Sequence, residues 1–331
     1  MASTDVAAPQ AGAIAPRNSR DTAIRVAVWG AVSILAVLVI LGAATTSGFL
    51  TTTNVRAILS SVAFVGMIAV ATSLIMVSGN LFSLSLGATA AITAMAFLAL
   101  LSHGIVLAVV VTILLGVAIG ALQGIVVGSI GANPIIVTIG AVSLQQGIAL
   151  WASGGATIVP PKGDTSYAWL DSHIFTVPVP VYVLFGTVIV LDQVLRRTRF
   201  GRQLMLIGEN LTAARAAGMP TTLVITGAFA LAGLCTAIGG LELGAFNQSG
   251  SLLVEGTLTY DAIAAAVVGG VAITGGRGSV WQALGGAITI AMISDILLLR
   301  GYSEGVQILV KGVIVLVVVI LMRLNRMRVE T

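Results

Sequence analysis

Long apolar runs, broken at short intervals by glycine, proline and isolated charges, make up most of this chain. A helix needs about 20 apolar residues to cross roughly 30 Å of hydrocarbon. Runs close to that length predict spans over residues 26–44, 55–76, 85–101, 105–127, 134–151, 179–194, 223–244, 281–299 and 305–322. A further run over 262–273 is short. It lies between Asp261 and a glycine-rich stretch at 274–278, the flanks of a half-length or broken helix held inside a bundle. The first span follows a mostly polar stretch and exceeds the 7–15 residues typical of a signal-peptide core, so it reads as a retained anchor. The expected fold is all-α: a polytopic membrane protein of about ten transmembrane helices.

Composition agrees with the pattern. Of 331 residues, 57% are hydrophobic and 8% charged, and the mean hydropathy is +1.09; soluble domains carry roughly 25% charged residues. The spans leave no connection long enough for a domain of the usual 50 or more residues. The organisation read from the chain is therefore a tail over 1–24, one transmembrane domain over 25–322 and a tail over 323–331.

Charge sets the orientation. An even number of spans puts both ends on one side, and that side collects Arg17, Arg20, Arg25, Arg196, Arg197, Arg199, Arg202, Arg215, Arg277, Arg323, Arg326 and Arg328. Arg56, Lys162 and Arg300 fall opposite, and Lys311 falls within the last span. Since basic residues accumulate on the cytoplasmic side, both termini are expected there. The basic pI thus reflects membrane orientation and not nucleic-acid binding. Two connections are long: an external one at 152–178 and a cytoplasmic one at 195–222.

Several chemistries drop out. Lys162 and Lys311 are the only lysines and neither follows glycine, which excludes the Gly-Lys-Ser/Thr phosphate loop of an ATPase. His103 and His173 lie outside the apolar runs, so a metal cluster has no evident ligands. Cys235, the single cysteine, sits in an apolar stretch and reads as a small buried hydrophobe. An intramembrane enzyme needs an acid and a base, or a nucleophile with its base, at one depth, and no such group is apparent.

Two local patterns carry more information. Gly116, Gly120, Gly124 and Gly128 recur every four residues, a groove that lets a neighbouring backbone approach closely. In the 195–222 connection, Asn210 can cap a helix over 211–217, Gly218 can take the left-handed conformation that ends it, and Pro220 blocks continuation. That describes a rigid knob of about two turns, roughly 10 Å long, carrying Arg215.

The same segments resemble the ribose-type sugar permeases of bacterial ABC importers. GRQLMLIGENLTAARAAG at 201–218 is similar to that family's coupling segment, NPIIVTIGAVSLQQGIALWASGG at 133–155 to a second signature, and YDAIAAAVVGGVAITGGRGS at 260–279 to a third. VQILVKGVIVL at 306–316 resembles its last span, so the likeness covers about 55–322. One position departs: where the family commonly has GGIDLSVG, this chain has SGNLFSLSLG at 78–87, which places Ser83 at the acidic position. The resemblance implies a type II importer permease in the bacterial plasma membrane, paired with a second permease, identical or not. It further implies a periplasmic or lipid-anchored solute-binding protein and a cytoplasmic ATPase. ATP and magnesium would be bound by that ATPase, with no cofactor, metal or catalytic residue in this chain. Carried over by motif, Gly201, Gly208, Asn210, Ala213, Ala214, Arg215 and Gly218 would form the coupling helix.

Asn80, Ser83, Ser85, Gln145, Gln146, Asn247 and Gln248 are uncharged polar residues in or beside spans, suited either to a path for a hydroxylated solute or to hydrogen bonds between helices. Asp192, Glu242, Asp295 and Lys311 are ionisable groups at membrane depth, where charge is costly and often functional. Asp295 is expected to pair with Lys311. Titration of Asp192, Glu242 or Asp295 defines the competing reading, a proton-coupled secondary transporter that needs no ATPase.

Overall fold

The computed structural model describes residue 33, residues 35–252 and residues 255–330. The expected tail over 1–24 and the start of the first expected span lie outside the described residues. A short apolar helix, α1 (Leu35–Thr45), leads into the bundle. It is followed by α2 (Thr52–Val77), α3 (Leu86–Leu100), α4 (Ile105–Ile130) and α5 (Pro134–Ser153). After the 152–178 connection come α6 (Val179–Arg197), α7 (Arg199–Glu209), α8 (Leu211–Ala216) and α9 (Thr221–Asn247). The chain then forms α10 (Glu255–Val268), α11 (Val280–Leu299) and α12 (Glu304–Glu330). Among the described residues, α2 to α6, α9 and α11 make seven helices long and apolar enough to cross a membrane, counting the 3-10 turn Leu101–His103 as part of the third span.

Two boundaries differ from the sequence reading. The short span expected at 262–273 is α10 and starts at Glu255, because Asp261 is paired inside the bundle and does not mark a water-facing edge. It stops at Val268, where Gly269 and Gly270, the latter at φ +90°, end the helix. The last helix does not stop at residue 322 but runs to Glu330, so the expected tail is largely helical.

α2 is the central element. Every residue from 62 to 78 is buried, which matches a helix that is apolar all round. α9 packs along α2, α3 and α4, while α10 and α11 close the opposite flank of α2. The glycine groove on α4 receives α9. A Cβ on Gly120 would lie 2.2 Å from the Phe229 carbonyl oxygen, and one on Gly233 would lie 2.1 Å from that of Gly116. At the end of the groove the Thr222 hydroxyl donates to the Gly128 carbonyl at 2.9 Å. α10 and α11 meet the same way, at Gly269 against Gln282 and Gly286 against Ala265. These helices touch backbone to backbone.

One end of the bundle holds α7, α8, the α2–α3 connection and the 269–279 turn, and is rich in arginine. The opposite end is covered by the 152–178 connection, which is more ordered than its sequence implies. It forms a 3-10 turn (Ala168–Asp171) and a two-stranded antiparallel ribbon, β1 (His173–Ile174) with β2 (Val177–Pro178). Ile158 bridges to Gly250. Tyr167 and Leu170 plug a small core with Phe97, Leu101 and Leu241. In this loop Asp164 accepts hydrogen bonds from Ser166, at 2.8 Å from its amide, and these hold the carboxyl below its ordinary range.

Because no side chain can be admitted between α4 and α9, Gly233→Val should cost at least about 1–3 kcal/mol by overpacking. A fall in the thermal unfolding midpoint of the purified protein checks it. Gly140→Ala, within α5 at a position where a Cβ meets nothing within 4 Å, should not lower that midpoint, since alanine is the better helix former.

Candidate functional site

The arginine-rich end is organised by a series of local signals. Thr198 ends α6 and caps α7, its hydroxyl accepting from the Gly201 amide at 3.2 Å. The turn is so tight that a Cβ on Gly201 would lie 2.1 Å from the Leu195 carbonyl oxygen. α7 buries Gly201, Leu204, Ile207 and Gly208, one face of a helix, and leaves Arg199 and Arg202 exposed. Asn210 then caps α8, accepting from the Ala213 amide at 2.9 Å. Gly218, at φ +73°, closes it: its amide donates to Arg215 at 3.0 Å and that of Met219 to Ala214 at 3.1 Å, a Schellman pair. Within α8 only Ala214 is buried. Leu211, Thr212, Ala213 and Arg215 form a stiff exposed knob.

The uncharged polar residues divide into groups. Ser83, Ser85 and Gln145 join a buried seam. The Ser83 and Ser85 hydroxyls are 3.0 Å apart, and Ser85 donates to Gln123 of α4 at 2.8 Å. Thr89 of α3 donates to Gln145 of α5 at 2.9 Å. The Leu84 amide donates to Thr138 of α5 at 3.2 Å, and the Gly87 amide to Thr259 of α10 at 3.1 Å. Asn80 borders this seam, its amide donating to the Ser78 hydroxyl at 2.8 Å. Gln146 is half-buried on α5, while Asn247 and Gln248 are exposed at the opposite end of the molecule. Gln123, Thr89, Thr138 and Thr259 escaped the sequence reading. Gln123 had a signal, as the only amide in an otherwise apolar span.

Three of the four ionisable groups find partners, with one correction. Lys311 does not pair with Asp295; it meets Asp261 of α10 at 2.5 Å. Lys311 lies about 10 Å along α12 from its start, whereas Asp295 is only about 6 Å from the end of α11, so the two sit at different depths. Asp295 instead accepts from the Asn54 amide at 2.8 Å, and Asp192 pairs with Arg196 at 2.8 Å. The Asp261–Lys311 pair borders a polar cavity of about 350 Å³ that is also lined by Ser61, Thr257, Ser294 and Glu304. Glu242 is buried in α9, and neither of its carboxyl oxygens has a hydrogen-bond partner among the described residues.

This arrangement, an apolar bundle with a polar seam inside and a capped knob at its arginine-rich end, is covered by a family match. Residues 54–322 match the family described as branched-chain amino acid transport system / permease component. The chain belongs to that permease family.

The permease is 32% identical over 293 residues to the probable ABC transporter permease protein YphD of Escherichia coli K12, covering 88% of each chain. It is 31% identical over 292 residues to the ribose import permease protein RbsC of Bacillus subtilis 168, covering 87% of this chain and 90% of the relative. It is 29% identical over 294 residues to the L-arabinose transport system permease protein AraH of E. coli K12, covering 88% and 89%. No solved structure matches. The permease is a multi-pass protein of the bacterial inner membrane.

Both members of the Asp261–Lys311 pair are largely buried, with side chains 15% and 10% exposed. Removing one partner should therefore cost about 3–5 kcal/mol, and removing both should recover most of it. Thermal unfolding of Asp261→Asn, Lys311→Met and the double variant checks this; a double variant no better than the singles contradicts it.

Proposed function

We propose that this permease forms the membrane path of a binding-protein-dependent ABC importer for a sugar or a sugar-like polyhydroxylated solute. Both termini are cytoplasmic, about ten segments cross the membrane over 25–322, and the residues at 201–218 are the contact for a separate ATPase. The observation that carries this reading is the α8 knob. It is fixed at both ends by capping hydrogen bonds, exposed on every residue but Ala214, and placed at the arginine-rich end. A stiff protrusion of this kind can take up a push from a partner, and the chain's two lysines give it no phosphate loop with which to hydrolyse ATP itself. Partners named by chemistry are a cytoplasmic ATPase that binds ATP and magnesium, a second permease subunit and an external solute-binding protein.

The names of the relatives support pentoses as first probes, since two of them are ribose and L-arabinose permeases. Ser83, Ser85, Gln145, Asn80 and Gln146 supply hydroxyl and amide groups to one region of the bundle, the chemistry a hydroxylated solute requires. Selectivity resides in the external binding protein, so the path itself needs little affinity.

Glu242 favours a second reading, proton-coupled transport, because a buried carboxyl without a partner is the group such a carrier would titrate. One experiment separates the two. In vesicles holding the permease with its ATPase and binding protein, uptake of labelled ribose or arabinose should require ATP and survive a proton uncoupler. Uptake by the permease alone that collapses with the uncoupler would establish the second reading. In the assembled system Ala213→Glu, on the exposed knob, should lower uptake about tenfold or more while ATP hydrolysis continues, a coupling loss of at least about 1.4 kcal/mol.

A further inference from the structure

At the arginine-rich end three segments meet without side chains between them. A Cβ on Gly208, at the end of α7, would lie 2.0 Å from the Val77 carbonyl oxygen and 2.6 Å from the Gly276 amide nitrogen. A Cβ on Gly275 would lie 2.5 Å from the Gly79 Cα and 2.8 Å from the Gly208 carbonyl oxygen. The Gly276 amide donates to the Val77 carbonyl at 3.0 Å, tying the 269–279 turn to the end of α2. The chain leading from α7 into the α8 knob therefore bears directly on backbone. A contact of that kind has no rotamers through which to absorb a displacement, so movement of one segment shifts the others.

The segment beyond Gly79 is equally constrained at its far side. Residues 78–87 hold Leu81 at φ +56°, a conformation that disfavours any residue with a Cβ and is kept only where the surroundings impose it. From there the segment is wired outward by hydrogen bonds to three other helices: Ser85 to Gln123 of α4, Leu84 to Thr138 of α5 and Gly87 to Thr259 of α10. Its Leu84 side chain lines a cavity of about 250 Å³ together with Ile139, Ser143, Thr259 and Tyr260.

We infer that residues 78–87 are the transmission strap of the permease. The Gly208–Gly79–Gly275–Gly276 junction carries movement of the α7–α8 segment into this strap, and the strap makes or breaks the polar seam that joins α4, α5 and α10. This rests on the reading of α8 as the ATPase contact. Gly208 and Thr138 are positioning residues in this scheme. Gly208 lets the backbones touch, and the Thr138 hydroxyl holds the strap at its far side.

The single cysteine makes the test direct, because Cys235 is fully buried and leaves the background unlabelled. Leu84→Cys reports on the strap and Thr212→Cys on the exposed knob. Each is labelled with N-ethylmaleimide in the permease assembled with its ATPase in membrane vesicles, nucleotide-free and with vanadate-trapped ADP. Thr212→Cys should be protected by the ATPase. Leu84→Cys should change its labelling rate about tenfold between the two states, since thiol reaction follows access. Gly208→Ala should abolish that change while Thr212→Cys stays protected. Thr138→Val, which leaves the junction untouched, should make Leu84→Cys label fast in both states. A Leu84→Cys rate that is equal in the two states, with Thr212→Cys protected, overturns the strap whether or not the Gly208→Ala chain accumulates. Failure of the ATPase to protect Thr212→Cys overturns the coupling reading instead.

Discussion

Direct backbone contact at glycine is the constraint on which the rest of this structure depends. Lipid tails are as apolar as leucine, so helices in a membrane gain little by hiding hydrophobic side chains from their surroundings. Close packing must supply the attraction, and closeness is limited by the Cβ. α4 against α9 and α10 against α11 meet where that atom is missing on at least one side, at Gly116, Gly120 and Gly233 in the first pair and at Gly269 and Gly286 in the second. The same device recurs at Gly208, Gly275 and Gly79, where it joins loops instead of spans. A bundle built this way is stiff at its contacts.

Polar groups inside the bundle follow a second constraint, since each buried donor or acceptor that lacks a partner is costly. Ser83, Ser85, Thr89, Thr138 and Thr259 answer it by bonding to one another's segments, or to the amides Gln123 and Gln145. Asp261 and Lys311 answer it by neutralising each other, which attaches α12 to α10. Not every group answers it: neither carboxyl oxygen of Glu242 has a partner among the described residues, and the Thr46, Thr112 and Ser294 hydroxyls and the Gln145 amide nitrogen share that state. The polar seam and the glycine junction are neighbours along the chain, separated only by the short stretch that contains Leu81.

Much of the path from sequence to site was legible because its signals are local. Asn210, Gly218 and Pro220 bound a short helix through capping and backbone conformation that depend on only a few adjacent residues, and α8 appears between them. The apolar runs predicted the long helices for the same reason. Asp261 misled: as an isolated charge it read as the edge of a span, because its neutralising partner lies 50 residues away in sequence. The pairing expected for Asp295 failed on a matter of depth, which no residue pattern encodes. The 152–178 connection read as loop because its buried residues, Tyr167 and Leu170, stand in an apolar run too short to show a period and pack against other elements.

By itself, then, the amino-acid sequence determined that the chain is a helical membrane bundle, which face of α4 would be a groove, and that a capped knob follows the arginine-rich stretch. Periodicity, capping chemistry and charge are properties of neighbours along the chain. Which carboxylate meets Lys311, which hydroxyls share the buried seam, and that Gly208 touches Gly79 and Gly276 were decided only by the tertiary structure. Those contacts depend on how far each helix is shifted along its axis relative to the next. That shift is set by the packing of the whole bundle.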